Sequence, residues 1–532
     1  MRRYGLSVVL AASLGCAVAS EDSAPSVGES GFAPGPGFDN GSGAGQGTNV
    51  GFGGAQDFGF FRSQVESGAV PRAEDMDAAG FFAEHYGELP GADCGERVCL
   101  QAMLGVMNNL VDGNNCTLLQ IGLNSPLVVD PESRSGLDLA VVVDVSGSMA
   151  SEGKLRSVQD GLRLMVNEMR DTDRIAIVTY NGNASTVFAL DAMVGNRNRL
   201  LSLVDDLRAD GATNIFDGLR RGYQELRQDF DTEREARVLL LSDGEATAGE
   251  TGTAEILAMS AAENREGIGL TTIGVGTSFN IDLMRDLALQ SDGNFYFVED
   301  ASAVDEVFTE ELAYFTVPVA RSVEIDVEVG ALYDFGRALG SPLWEDRTDG
   351  GQLTLPSVFL AHRESADDVT DGGDRRGGGS RLLIEVMPNG NADGDEASAQ
   401  VARVTMSYTD PVSGERSVQE RSVVFPSSPL DTPTRGLFET PMVEKSFVVL
   451  NLYVGLVDAV AAFHSGAPEE ALDVLVGLVA AARDYEDSAN EGEGDRDIRA
   501  DVALMETLIG NIENLSAASA PADVPEDPWP AD

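Results

Sequence analysis

Residues 139–148 read Leu139-Ala140-Val141-Val142-Val143-Asp144-Val145-Ser146-Gly147-Ser148. Five consecutive apolar residues, three of them β-branched, suit a strand covered on both faces, as in a parallel sheet. The run stops on one carboxylate and two hydroxyls. In open α/β sheets ligands bind at the carboxyl ends of the strands, so this stretch reads as a buried strand delivering oxygen ligands to a binding rim.

Further strand patterns follow at Arg174–Tyr180, Val238–Leu241, Leu270–Val275 and Asn294–Val298. Between them apolar residues fall on helical steps: Leu155, Val158, Leu162, Met165 and Met169, then Ile215, Leu219, Tyr223 and Leu226. This alternation predicts a Rossmann-like, doubly wound α/β domain over residues 135–317, with a mainly parallel sheet. Thr186–Leu190 follows an Asn-Gly-Asn turn and is expected as an antiparallel edge strand. Two more oxygen-bearing residues fall at matching places. Asp243 follows the buried run ending Leu240-Leu241-Ser242, and Thr213 sits in the Gly211-Ala212-Thr213-Asn214 loop ahead of a helix. Two carboxylates balance a divalent charge and three hydroxyls add ligands without charge. That donor set suits a hard cation such as Mg²⁺ that stays able to accept one anionic oxygen from outside.

Segment 135–317 resembles a von Willebrand factor type A domain. Asp144-x-Ser146-x-Ser148, Thr213 and Asp243 match that family's metal-ion-dependent adhesion site. The resemblance implies that Ser146, Ser148 and Thr213 bind the metal directly. It gives Asp144 and Asp243 a charge-balancing role, partly through water. It also implies Mg²⁺, or Ca²⁺ or Mn²⁺, as the cofactor, and a protein partner that presents an Asp or Glu carboxylate. The expected function is metal-dependent adhesion without catalysis. Two other readings stand beside it: a structural or assembly subunit of an envelope complex with a stabilising metal, and a metal-assisted hydrolase. Other chemistry fits poorly. Asp144, Ser146 and Ser148 could simply cap a helix, but Thr213 and Asp243 would then be unexplained. A phosphatase loop would need an acid where Ser146 stands. No G-x-S-x-G surrounds Ser146 to make it a hydrolase nucleophile. Five residues, not four, separate Gly147 from Gly153-Lys154, and Leu155 stands where a P-loop needs Ser or Thr.

The rest of the chain frames this domain. The 532 residues suggest several domains. Lys plus Arg number 36 against 88 Asp plus Glu, and the net charge of −52 argues against nucleic-acid binding. His85, His362 and His464 are the three histidines, too scattered for a zinc enzyme or a Ser-His-Asp hydrolase. Arg2-Arg3 followed by an apolar stretch reads as a signal peptide over residues 1–19. Leu14-Gly15-Cys16 resembles a bacterial lipobox, which would lipidate Cys16; cleavage after Ala17-Val18-Ala19 is the rival. Either way the chain is expected to cross the inner membrane. With lipidation, its one membrane attachment would be an outer-membrane lipid anchor. Residues 20–70, rich in Gly, Ser and Pro, read as a flexible tether. Residues 71–130 read as a preface holding Cys94, Cys99 and Cys116, with one disulfide expected among them and a helical period across Val98–Met107. Residues 318–428 read as a β-sandwich-like domain, given the alternation of Val323–Val329, and Asn391–Glu396 as a solvated turn. Residues 440–516 read as a helical domain. The apolar run 446–463 holds Asn451 and Asp458, which favours a buried helix over a membrane span. Residues 517–532 read as a disordered tail. This order of pieces is also similar to bacterial envelope proteins built around the same module.

Overall fold

The computed structural model describes residues 48–519, apart from 53, 56, 111–114, 128–135, 232–233, 244, 277–279, 291–292, 299–307, 309–317, 362–377, 390–398, 426–435 and 490–493. The lipidation residue Cys16, the signal peptide, the Asn391–Glu396 turn and the tail beyond 519 lie outside the described residues.

The chain enters through β1 (Thr48–Phe52), β2 (Gly54–Ala55), α1 (Gly59–Glu66) and α2 (Ala78–Ala83), then β3 (Cys99–Asn108) and β4 (Asn115–Ser125). The α/β domain follows as β5 (Leu137–Asp144), α3 (Lys154–Glu168), β6 (Arg174–Tyr180), β7 (Ala184–Ala192), α4 (Arg197–Asp205) and α5 (Ile215–Arg227). It continues as β8 (Glu235–Ser242), α6 (Thr253–Asn264), β9 (Ile268–Val275), α7 (Ile281–Leu289) and β10 (Asn294–Val298). Its sheet has the order β2-β10-β9-β8-β5-β6-β7, parallel except for the β6–β7 pair. The antiparallel edge expected at Thr186–Leu190 is β7. The apolar run of the interior strand β5 has both faces covered. Leu139, Val141 and Val143 face a core built with α3 and α4, and Ala140 and Val142 face one built with α5 and α7. The result is a three-layer sandwich in which β5 is an interior strand, between β8 and β6.

A second sheet system is assembled from β11 (Pro318–Val329), β12 (Tyr333–Leu339), β13 (Trp344–Arg347), β14 (Gly350–Leu360), β15 (Arg381–Pro388), β16 (Ala399–Thr409), β17 (Arg416–Phe425) and β18 (Leu437–Phe438), together with β1, β3 and β4. β1 pairs with β4 on one side and β14 on the other, joining two antiparallel sheets around one apolar core. Three helices close the chain: α8 (Pro441–His464), α9 (Pro468–Ser488) and α10 (Arg496–Ser519).

Two expectations are corrected. β3 and β4, placed in a separate preface by the sequence reading, are strands of the second sheet system, and Val98–Met107 forms strand rather than helix. β3 is covered on both faces, with Leu100, Leu104 and Val106 in the sheet core and Met103 and Met107 against the helical side. Apolar residues on both faces erase the alternation that marks a half-exposed strand. Thr48–Phe52, Gly54–Ala55 and Gly59–Glu66, read from sequence as part of the tether, form β1, β2 and α1. β1 enters the second sheet system, β2 adds a parallel edge to the α/β sheet, and α1 packs into the helical core through Phe61 and Val65. Asp57 secures this crossing segment, with Oδ2 accepting from Phe297 N at 2.7 Å and Oδ1 from Gly59 N at 2.6 Å. At the far end Asn511 Nδ2 donates to Val65 O and Ala69 O.

Of the sequence-expected cysteine pairings, Cys94–Cys99 is formed. Helix α8 is, among the described residues, the one helix long and apolar enough to cross a membrane by length and composition. Here it is a core element. Asn451 Oδ1 accepts from Leu110 N at 2.9 Å, and Lys445 is buried between Asp495 and Asp497 at 2.9 and 2.8 Å.

Burial raises the Glu444 carboxyl above its ordinary 4.5. A folded-state value above the unfolded one means that stability is lost as pH rises through it. Glu444→Gln is therefore expected to shift the urea midpoint upward at pH 7 and to leave it near wild type at about pH 4, where both forms are neutral. Equal shifts at the two pH values would contradict this.

Candidate metal centre

β5 and β8 lie side by side, with Val143 opposite Leu241, so Asp144 and Asp243 leave the same sheet edge from adjacent strands. Asp144 is fully buried. Its Oδ1 accepts from Ser146 N at 2.8 Å, which folds the loop back over the carboxylate, and its Oδ2 accepts from Ser242 Oγ at 2.9 Å. Burial raises its carboxyl above the usual range; the hydrogen bonds from Ser146 and Ser242 oppose the rise and the nearby Asp243 charge adds to it. Tyr180, also fully buried, donates from its hydroxyl to Leu241 O at 3.2 Å. Burial, reinforced by Asp144, pushes that hydroxyl well above its ordinary value.

The side chains form one connected series. Ser146 Oγ lies 3.0 Å from Ser148 Oγ, and Ser148 Oγ donates to Asp243 Oδ1 at 2.7 Å. Asp243 Oδ2 accepts from Lys154 Nζ at 3.1 Å. Asp243 is 1% exposed and Lys154 5% exposed, whereas Ser148 is exposed, so the group opens to solvent on the Gly147-Ser148 side.

Thr213 is carried by a third loop, and backbone bonds lace that loop to the other two. Gly147 N donates to Gly211 O at 3.0 Å and Asp210 N to Val145 O at 2.8 Å. Thr213 N donates to Thr247 Oγ1 at 3.0 Å, while Thr213 O accepts from Thr247 N and Ala248 N. Gly211 has φ +86°, a left-handed conformation that favours glycine, and a Cβ at Gly147 would press to 3.3 Å against Gly211 O. The structure thus gathers Asp144, Ser146, Ser148 and Asp243 into one network and sets buried Thr213 on a loop bonded to theirs.

Among the described residues no cluster of three or more His, Cys, Asp or Glu is placed to hold a metal. Hydroxyls therefore have to complete any donor set here. Two carboxylates with serine and threonine hydroxyls are hard oxygen ligands, suited to a small divalent cation. The Lys154 ammonium already stands as a cation on Asp243, an independent sign that the position favours positive charge.

Sequence reasoning missed the supports. Ser242 and Tyr180 are core residues by pattern, and their link to Asp144 comes from strand pairing. Thr247 lies in the loop after β8 with no distinguishing neighbour. Lys154 carries a signal in the sequence, since a lysine opens the buried stripe of α3, but nothing local links it to Asp243.

Residues 138–310 match the von Willebrand factor type A domain. The chain carries a domain of that family. Domains of this kind mediate metal-dependent protein–protein contacts. The chain is 30% identical over 256 residues to the uncharacterized protein YfbK of Escherichia coli strain K12, covering 48% of this chain and 42% of that protein. It is 29% identical over 210 residues to inter-alpha-trypsin inhibitor heavy chain H3 of Rattus norvegicus, covering 38% and 23%. The matched stretch spans less than half the length of either relative. Among solved structures, a von Willebrand factor type A protein from Catenulispora acidiphila aligns over 78% of this chain and 96% of its own, with 14% identity and a TM-score of 0.49.

Ser242→Ala removes a hydrogen bond to a buried carboxylate and is expected to cost about 1.5–3 kcal/mol at pH 7 in metal-free protein. Urea unfolding checks it; a cost below about 0.5 kcal/mol would show that Ser242 does not hold Asp144.

Proposed function

We propose that this protein is a metal-dependent adhesion-type binder, secreted into a bacterial envelope and anchored there by lipid at Cys16. It takes hold of a partner protein through an Asp or Glu carboxylate. The observation that carries the reading is the Asp144–Ser146–Ser148–Asp243 network at the rim of a parallel sheet, open on the Ser148 side. Ser146, Ser148 and Thr213 would hold a Mg²⁺ or similar ion through neutral oxygens, and Asp144 and Asp243 would balance its charge. The bound ion supplies a Lewis-acidic centre for one further anionic oxygen.

The protein's own part is orientation. Ser242 and the Ser146 amide fix the Asp144 carboxylate, and Thr247 fixes the loop that carries Thr213. No rotamer search is then needed when a ligand arrives, which lowers the cost of binding. A localised positive centre on a chain of net charge −52 also restricts where an acidic partner can dock. The proposed chemistry is ligation without turnover. The signal-peptide pattern and the Leu14-Gly15-Cys16 lipobox support the envelope location.

Asp144→Ala is expected to abolish Mg²⁺-induced thermal stabilisation and Mg²⁺-dependent retention of envelope proteins while leaving the far-ultraviolet circular dichroism unchanged. EDTA should do the same to wild type. Retention by Asp144→Ala equal to wild type would contradict the adhesion reading. Stabilisation by Mg²⁺ with no metal-dependent retention would favour the assembly-subunit reading.

A further inference from the structure

Lys154 stands out because its charge is buried beside the proposed site, against Asp243. Its side chain opens α3, is 5% exposed and ends 3.1 Å from Asp243 Oδ2. Glu152, at 4.0 Å, is a distant and largely exposed second carboxylate. The aliphatic stem runs beneath Gly276 at the end of β9, where a Cβ would fall 2.6 Å from Lys154 Cε. Gly276 has φ +76°, so the backbone there both favours glycine and leaves room for the lysine. Taking an ammonium out of water is costly unless it is paired. A lysine with an open route to solvent on a helix's first turn would ordinarily extend its head outward. This one is instead routed inward, to the carboxylate that charge balance assigns to the metal.

We infer that Lys154 is a built-in counter-cation that sets the charge of the metal centre, and through it metal affinity and ligand class. The inference rests on the metal-binding reading above. With both carboxylates ionised, Asp144 and Asp243 sum to −2, and Lys154 brings the metal-free site to −1. A divalent ion then raises it to +1. Without Lys154 the same ion would leave the site neutral. The lysine thus has two consequences. It weakens divalent binding, since like charges repel across a buried, weakly screened distance. It also leaves the loaded centre with one uncompensated positive charge, which one carboxylate neutralises. A monoanionic carboxylate is the ligand class this balance selects; a neutral oxygen donor would leave the charge uncompensated. In the metal-free protein the ammonium holds Asp243 in place, so the network survives loss of the ion.

The test uses the full chain with Lys154→Gln, which keeps a hydrogen-bond donor and removes the charge, and Lys154→Arg, which keeps the charge. After stripping with EDTA, Mn²⁺ binding is followed by the paramagnetic resonance of free Mn²⁺. Lys154→Gln is expected to bind Mn²⁺ about tenfold or more tightly than wild type, with Lys154→Arg within about threefold of wild type. Metal-free Lys154→Gln should melt below wild type, and Mn²⁺ should raise its melting temperature by more than it raises that of wild type. Acetate serves as the ligand probe, through relaxation of its methyl protons by protein-bound Mn²⁺. It should saturate wild type at lower concentration than Lys154→Gln. A purely structural lysine would weaken Mn²⁺ binding when removed, so unchanged or weaker binding by Lys154→Gln overturns the inference while leaving the metal site standing. Absence of Mn²⁺ binding by wild type overturns the metal-binding reading and this inference together.

Discussion

Two carboxylates at the ends of adjacent buried strands are the constraint on which the site depends. A strand with apolar neighbours on both faces has no room for charge along its length, so polarity is confined to its ends. Asp144 and Asp243 meet at one such end. Every support around them lowers the cost of holding two like charges out of water. Asp144 takes an amide and a serine hydroxyl, and Asp243 takes a serine hydroxyl and an ammonium. Three loops that would otherwise move separately become one surface, because the backbone bonds at Gly147, Asp210 and Thr213 tie them together.

The rest of the chain holds this rim on a firm base. Residues 48–66 contribute in turn to the second sheet system, the α/β sheet and the helical core, so the three share one short segment. Arg321 of β11 reaches Glu235, at the opposite end of β8 from Asp243. That contact with the second sheet system thus lies away from the rim. In the helical region Lys445 is internalised between Asp495 and Asp497, and His85 Nε2 lies 2.5 Å from Asp501 Oδ2. Removing one partner of a buried ion pair costs more than the pair itself contributes.

The sequence made the α/β domain readable because long apolar runs and helical steps alternate there without interruption. The antiparallel edge strand β7 was readable from its Asn-Gly-Asn turn. β1 was hidden because Thr48-Asn49-Val50-Gly51-Phe52 has a loop-like composition, and only its neighbours β4 and β14 make it a strand. β3 was misread because burial on both faces leaves no alternation. At the rim, Asp144, Ser146, Ser148 and Asp243 could be singled out from sequence because each lies just after a strand, and the structure joins them in one network. Their supports could not. Ser242 acts on Asp144 across strand pairing, and Lys154 reaches Asp243 across 89 residues of sequence. Such roles belong to tertiary neighbours rather than to any local pattern.

The most direct test is anomalous diffraction from crystals grown with Mn²⁺. The account predicts one strong peak bounded by Ser146, Ser148 and Thr213, with the Asp144 and Asp243 carboxylates beside it and one coordination position held by water or a foreign carboxylate. A fully occupied Mn²⁺ elsewhere, with no density between those three hydroxyls, would contradict it.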